Sequence, residues 1–218
     1  MSDILKTLTK QITENQILPA DQMAAGFDEM MMGKASPVQM AAFLIALKMR
    51  GEAPSDIAAG AGSLRRHALT LDAPDSAMDI VGTGGDGTGT YNISTATALV
   101  LAGAGIPVAK HGNKAVSSKS GAADVLTALG INLDCPEEAL SEALKVAKIV
   151  FLMAPRHHSA MRHVGPIRLE LGVRTIFNLL GPLSNPALVR RILVGVFDAR
   201  WLRPFAEALL TLGTTDAF

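Results

Sequence analysis

The chain has 218 residues, of which 49% are hydrophobic, 18% charged and 4% aromatic, and its 20 Lys and Arg balance its 20 Asp and Glu. The hydrophobic fraction excludes a disordered chain, and the zero net charge argues against a nucleic-acid partner. Cys135 is the only cysteine, so an internal disulfide is excluded and a reducing, cytoplasmic location is predicted. The uncharged window 87–109 is too rich in Gly, Thr, Ser and Asn for a membrane helix, so no membrane partner is predicted.

Residues 1–70 predict helices only, because their apolar residues recur at helical spacing. One helical face carries Ile4, Leu5, Leu8 and Ile12, and a Met-rich helix follows over 20–32. Ser36 and Gln39 form a capping-box pattern around Pro37 for a third helix that ends at Gly51. A fourth helix is expected over 55–69. A change in composition near 71–77 predicts an N-terminal helical domain at 1–72 and a second domain at 73–218.

Short apolar runs and helical stretches alternate after residue 75. We predict strands at 78–81, 107–110, 149–153 and 192–197, and helices at 94–104, 121–129, 136–147 and 200–212. This alternation is typical of an α/β domain with a mostly parallel sheet.

The segment 82–89 contains five glycines and follows the first predicted strand. Glycines allow main-chain N–H groups to approach an anion, and the helix that follows offers free donors, so the segment predicts a phosphate site. The pattern over 82–87 formally fits G-x-G-x-x-G. The acidic residue that a dinucleotide site requires is absent between Gly87 and Ala109, and Thr90 stands where a P-loop requires lysine.

A second loop, 110–121, follows the second strand and contains three lysines and three serines. In a parallel sheet the two loops leave the same edge, where they could bind a ligand with several phosphates. A solvated surface charge is an equal alternative for each lysine. The segment 154–168 contains three histidines without the spacing of a zinc pair. Within it, Arg168 could bind a planar carboxylate or pair with Glu170.

Four motifs together resemble the anthranilate phosphoribosyltransferase family: 82–86 (GTGGD), 92–95 (NIST), 110–113 (KHGN) and 174–183 (RTIFNLLGPL). The resemblance implies a nucleoside phosphorylase-like phosphoribosyltransferase fold, with a small helical domain that forms a homodimer and a larger α/β domain. It also implies phosphoribosyl diphosphate (PRPP) and anthranilate as substrates, Mg²⁺ as cofactor, and a role in tryptophan biosynthesis.

The resemblance further implies two sets of site residues and one metal ligand. The PRPP set is Gly82, Gly85, Asp86, Thr90, Asn92, Ile93, Ser94, Thr95, Lys110, His111, Gly112, Asn113, Lys114, Ala115, Val116, Ser117, Ser118 and Ala122, the last replacing a serine of many relatives. The anthranilate set is Gly82, His111, Asn113, Pro155, His158 and Arg168, and Ser94 is the implied Mg²⁺ ligand.

Relatives of this family are longer and carry an adjacent Asp-Glu pair that binds Mg²⁺ in their C-terminal part. The pair is absent here, so we expect a chain truncated at the C-terminus without its main metal site. The pair Asp28-Glu29 is interpreted instead as a solvated helix face, and Glu137-Glu138 as the first turn of a helix. Two alternatives stay open: a pyrimidine nucleoside phosphorylase-like enzyme, and a non-catalytic PRPP-binding homologue.

Overall fold

The computed structural model describes residues 2–84, 89, 91–114 and 120–218. The chain divides into two compact units. We call Met1–Ala68, His158–Ser184 and Arg203–Leu212 the helical unit, and Leu69–His157, Asn185–Leu202 and Gly213–Phe218 the sheet unit. Among the described residues, no helix is long and apolar enough to cross a membrane.

The first four helices are α1 (Asp3–Thr13), α2 (Ala20–Met31), α3 (Pro37–Arg50) and α4 (Pro54–Arg66), as the sequence predicts to within three residues at each end. The capping box of α3 is formed, because Ser36 Oγ accepts from Gln39 N at 3.3 Å and Gln39 Oε1 accepts from Ser36 N at 3.1 Å. The rings of Phe27 and Phe43 meet edge to face, with centroids 5.8 Å apart, in the core of the helical unit.

The sheet unit contains five parallel strands in the order β3-β2-β1-β4-β5. They are β1 (Met78–Gly82), β2 (Val108–Gly112), β3 (Ile149–Met153), β4 (Arg191–Gly195) and β5 (Asp216–Ala217). Its helices are α5 (Ile93–Gly103), α6 (Ala122–Ala128), α7 (Glu137–Ala147) and the single turn α8 (Ala154–His157). The predicted α/β class with a parallel sheet is therefore confirmed.

One predicted strand ends earlier than expected. β4 stops at Gly195 rather than at residue 197. The Phe197 N–H donates to Thr83 Oγ1 at 2.9 Å, while Gly195 O accepts from Thr83 N at 2.9 Å. The Thr83 hydroxyl thus accepts the Phe197 N–H that a longer β4 would donate to the Thr83 carbonyl.

Three more helices follow β3 and the 3₁₀ turn Ser159–His163: α9 (Gly165–Leu171), α10 (Phe177–Leu180) and α11 (Leu202–Thr211). The helices α9 and α10 pack with α3 and α4 in the helical unit, and the Phe27 and Phe177 ring centroids lie 6.1 Å apart. Two segments that follow the predicted boundary at residue 72 thus belong to the same compact unit as the first four helices. The linear division into 1–72 and 73–218 stays a prediction.

Candidate active site

The carboxyl ends of β1 and β2 form the framework of the candidate site. Gly82 ends β1 and Gly112 ends β2, and parallel strands bring these ends to the same edge of the sheet. Both predicted phosphate segments therefore leave the sheet at one edge. Gly82 is exposed, whereas His111, one residue before the end of β2, is buried.

The amino end of α5 follows the segment that leaves β1, and it supplies hydrogen-bond donors. Asn92 is the N-cap residue, and its Oδ1 accepts from the Thr95 hydroxyl at 2.6 Å instead of capping a first-turn amide. Ser94 lies half-exposed in the first turn. Amides and hydroxyls at the positive end of a helix favour an anion.

The segment that follows β2 is held by local contacts. Asn113 O accepts from Ala123 N at 3.2 Å, and Asn113 Oδ1 accepts from Lys114 N at 2.8 Å. A Cβ built on Gly112 would lie 3.3 Å from the Ala122 Cβ. The structure therefore brings Gly112, Asn113 and Ala122 together, with Lys114 exposed beside them.

The Lys110 side chain is buried and hydrogen-bonded to the main chain of β1. It is 3% exposed, and Nζ donates to Ile80 O at 2.6 Å. Burial lowers the pKa of Lys110, and the negative charge of Asp79 raises it again in part. The alternative of a solvated surface charge is therefore wrong for Lys110, whose ammonium group is bonded inside the sheet unit. Its inclusion among PRPP ligands stays a prediction.

Two residues that the sequence did not indicate, Asp79 and Asn185, are both buried next to Lys110 and His111 in the sheet unit. Asp79 Oδ2 accepts from Asn185 Nδ2 at 2.7 Å, and Asp79 Oδ1 accepts from His111 N at 3.1 Å. Burial raises the pKa of Asp79 to about 6, although the charge of Lys110 and the hydrogen bonds lower it. The available signal was an acidic residue inside the apolar run of β1, since buried carboxylates require partners.

The predicted anthranilate residues are divided between the units. Pro155 belongs to α8 in the sheet unit with Gly82, His111 and Asn113, whereas His158 and Arg168 belong to the helical unit. Their common role toward anthranilate stays a prediction.

Arg168 is half-buried on α9, and its guanidinium lies 5.4 Å from the centroid of the Phe177 ring. No salt bridge of Arg168 with Glu170 or another acid occurs within the part of the chain that the structure describes. The alternative of a Glu170 ion pair is therefore wrong. Burial lowers the pKa of the Arg168 guanidinium, and a desolvated cation of this kind favours an anionic ligand.

Several predicted PRPP residues lie outside the described residues. They are Gly85, Asp86, Thr90, Ala115, Val116, Ser117 and Ser118. Their assignment stays a prediction.

Mg²⁺ prefers six oxygen ligands and usually binds through one or two carboxylates together with substrate phosphates and waters. Residues 2–84, 89, 91–114 and 120–218 contain no cluster of three or more His, Cys, Asp or Glu side chains suited to a metal. Ser94 offers one half-exposed hydroxyl. The described side chains therefore fit a cation that is carried largely by a diphosphate, and they do not form a complete metal site by themselves.

The interpretation of Asp28-Glu29 as a solvated face is wrong for Asp28. Its carboxylate accepts hydrogen bonds from the buried Ser63 hydroxyl and from Arg66 Nη2, the latter at 2.9 Å. The same carboxylate lies 3.1 Å from His67 Nε2. Burial raises the pKa of Asp28, but the hydrogen bonds from Ser63 and Arg66 lower it more, so its pKa lies below the usual value. Asp28 thus joins α2 to α4.

Two family models match this chain. The model of a glycosyl transferase family helical bundle domain matches residues 4–68, and the model of a glycosyl transferase family a/b domain matches residues 74–218. The chain belongs to this glycosyl transferase family. The two predicted phosphate segments, 82–89 and 110–121, both lie within the residues that the a/b domain model matches.

Among relatives of this chain, the anthranilate phosphoribosyltransferase of Parvibaculum lavamentivorans is 54% identical over 213 residues, which are 98% of this chain and 62% of the relative. That of Rhizobium etli is 55% identical over 210 residues, 96% of this chain and 62% of the relative. The chain thus spans 62% of the length of these curated relatives, and the resemblance in the motifs is confirmed over nearly the whole chain.

Solved structures agree with this resemblance. Anthranilate phosphoribosyltransferase from Thermus thermophilus superposes with a TM-score of 0.90 at 46% identity, covering 96% of this chain and 67% of that one. The enzyme from Saccharomyces cerevisiae in complex with PRPP and Mg superposes with a TM-score of 0.89 at 29% identity, covering 98% of this chain and 64% of that one.

Proposed function

We propose that this glycosyl transferase takes part in transferring the phosphoribosyl group of PRPP to the amine of anthranilate, which gives N-(5-phosphoribosyl)anthranilate and diphosphate. The observation that carries the proposal is the common edge at which β1 and β2 present Gly82 and the segment 111–114. The similarity to anthranilate phosphoribosyltransferases, one of them solved with PRPP and Mg, supports the substrates.

The proposed reaction breaks the bond between ribose C1 and the diphosphate oxygen and forms a bond between C1 and the anthranilate nitrogen, which then loses a proton to solvent. The electron pair of the broken bond leaves with diphosphate. Catalysis therefore requires stabilisation of negative charge and alignment of the amine, rather than a covalent nucleophile. The amino end of α5 and the exposed ammonium of Lys114 supply positive potential for the first requirement.

We include Mg²⁺ in this proposal as a cation that accompanies the diphosphate and neutralises part of its charge. Ser94 would contribute its hydroxyl oxygen from the first turn of α5. Phosphate oxygens and water would complete the coordination.

The carboxylate of anthranilate is assigned to Arg168. A guanidinium binds a planar carboxylate through two parallel N–H donors, and the Phe177 ring at 5.4 Å limits how far the guanidinium of Arg168 can rotate. The absence of a salt bridge within the described residues leaves this cation available to an acidic substrate.

The proposal extends to a cytoplasmic homodimer formed through the N-terminal helices. The outer face of α3 carries an apolar stripe of Val38, Ala42, Ile45 and Met49, spaced at four, three and four residues. Val38 is 78% exposed and Met49 is 79% exposed. A second copy that covers these side chains would remove apolar surface from water.

Calorimetric titration with PRPP and Mg²⁺ tests the first half of the proposal. The chain is expected to bind PRPP, and Lys114→Ala is expected to weaken binding about tenfold through loss of one charge-assisted contact. Lys145→Ala, which removes an exposed lysine on α7, is the matched control and should leave the affinity unchanged. A wild-type chain that binds inorganic phosphate and a pyrimidine nucleoside but not PRPP would overturn the proposal in favour of a phosphorylase.

Anthranilate fluorescence tests the second half. Arg168→Lys keeps the positive charge but loses the two parallel donors, so we expect anthranilate to bind about tenfold more weakly while the affinity for PRPP stays unchanged. The control is Arg162→Lys, since Arg162 is exposed and has no assigned role. Equal losses for both ligands would refute the assignment of Arg168. A wild-type chain that binds PRPP but no anthranilate would indicate the non-catalytic homologue.

A further inference from the structure

The main-chain pairing between β1 and β2 stops before the carboxyl ends of the two strands, where the candidate site lies. β1 pairs with β4 through five residue pairs, from Met78 with Arg191 to Gly82 with Gly195. Between β1 and β2 the register comprises a single pair, Met78 with Val108. The two strands that carry both predicted phosphate segments thus lack a continuous main-chain ladder at their carboxyl ends.

Buried side chains take over the ladder positions that follow. In a parallel pair continuing from Met78 and Val108, Ile80 N would donate to Ala109 O, and His111 N would donate to Ile80 O. Instead, Asp79 Oδ1 accepts from His111 N at 3.1 Å. Ala109 O accepts from Asn185 Nδ2 at 2.7 Å, and Ile80 O accepts from Lys110 Nζ at 2.6 Å.

Three main-chain groups, His111 N, Ala109 O and Ile80 O, are therefore bonded by three side chains. Asp79 is 0% exposed, Asn185 2% and Lys110 3%. Asn185 is itself oriented, because its Oδ1 accepts from Ala187 N at 2.8 Å and its Nδ2 also donates to Asp79 Oδ2 at 2.7 Å. A buried polar network in which each group is satisfied has one favourable geometry, because any displacement leaves a charge or an N–H unpaired.

We infer that Asp79 and Asn185 are positioning residues, which join the carboxyl ends of β1 and β2 through side chains and thereby determine where the segment 111–114 leaves the sheet. This inference rests on the proposed function for the ligand that the segment serves, which is a diphosphate ester such as PRPP. Neither residue touches that ligand, since both are buried. Their effect passes through the His111 N–H and the Ala109 carbonyl, to which they bind directly.

The decisive variant is Asp79→Asn, which preserves shape but leaves one acceptor oxygen for the two donors His111 N and Asn185 Nδ2. The matched control is Asp75→Asn, the same exchange at an exposed residue that precedes β1. A second control, Val150→Ala, shortens a buried core side chain of β3 and lowers stability without touching the network. PRPP affinity is measured for all folded variants by calorimetry, and exchange of the His111 amide is measured by NMR.

The expected result is that Asp79→Asn accelerates exchange of the His111 amide and weakens PRPP binding, each by about tenfold, which is the size of one lost hydrogen bond to a charged group. Asp75→Asn and Val150→Ala should change neither quantity by that amount. A folded Asp79→Asn protein with unchanged PRPP affinity overturns the inference, whatever its thermal stability.

Two further outcomes are separable. If Asp79→Asn does not fold, the wild-type His111 amide decides, because exchange at the rate of an unstructured peptide would contradict a bond to Asp79. If the wild-type chain binds no PRPP, the proposed function fails. The His111 exchange contrast between wild type and Asp79→Asn then decides the positioning role by itself.

Discussion

Gly112 ends β2 against the ring of Phe151, and a Cβ built on it would lie 2.9 Å from Phe151 Cε2 and 3.3 Å from the Ala122 Cβ. The ring cannot retreat freely because Phe151 is buried against Ala123 and Leu126. The absence of a side chain at Gly112 therefore allows α6 and β3 to approach the segment that carries Asn113.

We predict that Gly112→Ala lowers the free energy of unfolding by about 1–3 kcal/mol, the usual cost of adding a methyl group to a packed core. The control is Gly103→Ala at the end of α5, where a Cβ meets no atom within 4 Å. That exchange should raise the free energy of unfolding by about 0.5–1 kcal/mol through helix propensity. Urea denaturation measures both, and equal effects would contradict the close approach at Gly112.

The ionisation of Asp79 predicts a pH dependence of stability. Burial raises its pKa from 3.8 to about 6, so between these values the folded state holds a proton that the unfolded chain releases. The contribution of Asp79 to the free energy of unfolding is therefore largest below about pH 4. It falls by about 3 kcal/mol as the pH rises to about 6 and does not change further above that pH. The measurement is the difference in unfolding free energy between wild type and Asp79→Asn across pH 4.5–7.5. A difference that is constant over this range would contradict the raised pKa.

The helices α2 and α4 are joined by polar as well as apolar contacts. Asp28 on α2 receives hydrogen bonds from Ser63 and Arg66 on α4, and His67 lies at the carboxyl end of α4. Ser63 is fully buried, so its hydroxyl would lack an equivalent acceptor without the carboxylate.

We predict that Asp28→Asn lowers the free energy of unfolding at pH 7 by about 1–2 kcal/mol, the cost of weakening hydrogen bonds to a charged group. Because the pKa of Asp28 is lowered in the folded protein, this contribution is present above pH 3.8 and disappears as pH falls through the lowered value. Asp21→Asn, at the exposed start of α2, should change stability by less than about 0.5 kcal/mol. Urea titrations of these variants at pH 3 and pH 7 provide the check, and an equal loss at both pH values would exclude an electrostatic origin.

At the same scale, the sequence predicted elements better than it predicted side-chain partners. Apolar runs followed by glycine located β1 and β2, and Ser36 with Gln39 located the start of α3, because these signals are local. Asp79 and Asn185 are separated by 106 positions in the chain. No local pattern pairs them, and none indicates that the Lys110 side chain points into the sheet unit rather than toward a phosphate.

For the whole molecule, the zero net charge did not indicate that several charged side chains are buried. Lys110 and Asp79 are buried together in the sheet unit, and Arg50 forms a buried ion pair with Asp56 in the helical unit. Local composition also placed the domain boundary at residue 72, whereas compactness joins 158–184 and 203–212 to the first four helices. A change in composition along the chain cannot show that a later segment packs with the first helices, because such packing depends on contacts between distant segments.

The proposed homodimer gives the last prediction. Val38 and Met49 lie eleven residues apart on α3, which is three helical turns, so they share the exposed face of that helix. The double variant Val38→Glu and Met49→Lys places a negative charge at the amino end and a positive charge at the carboxyl end of α3, so the helix itself is preserved. The charges must lose their hydration if a second copy covers the stripe, so we expect the dimer to dissociate to monomers at micromolar concentration.

Sedimentation equilibrium measures the mass. The control pairs Val100→Glu with Val146→Lys, both 70% exposed in the sheet unit, and should leave the mass unchanged. A wild-type monomer, or a double variant that remains dimeric, would place the interface elsewhere or exclude it.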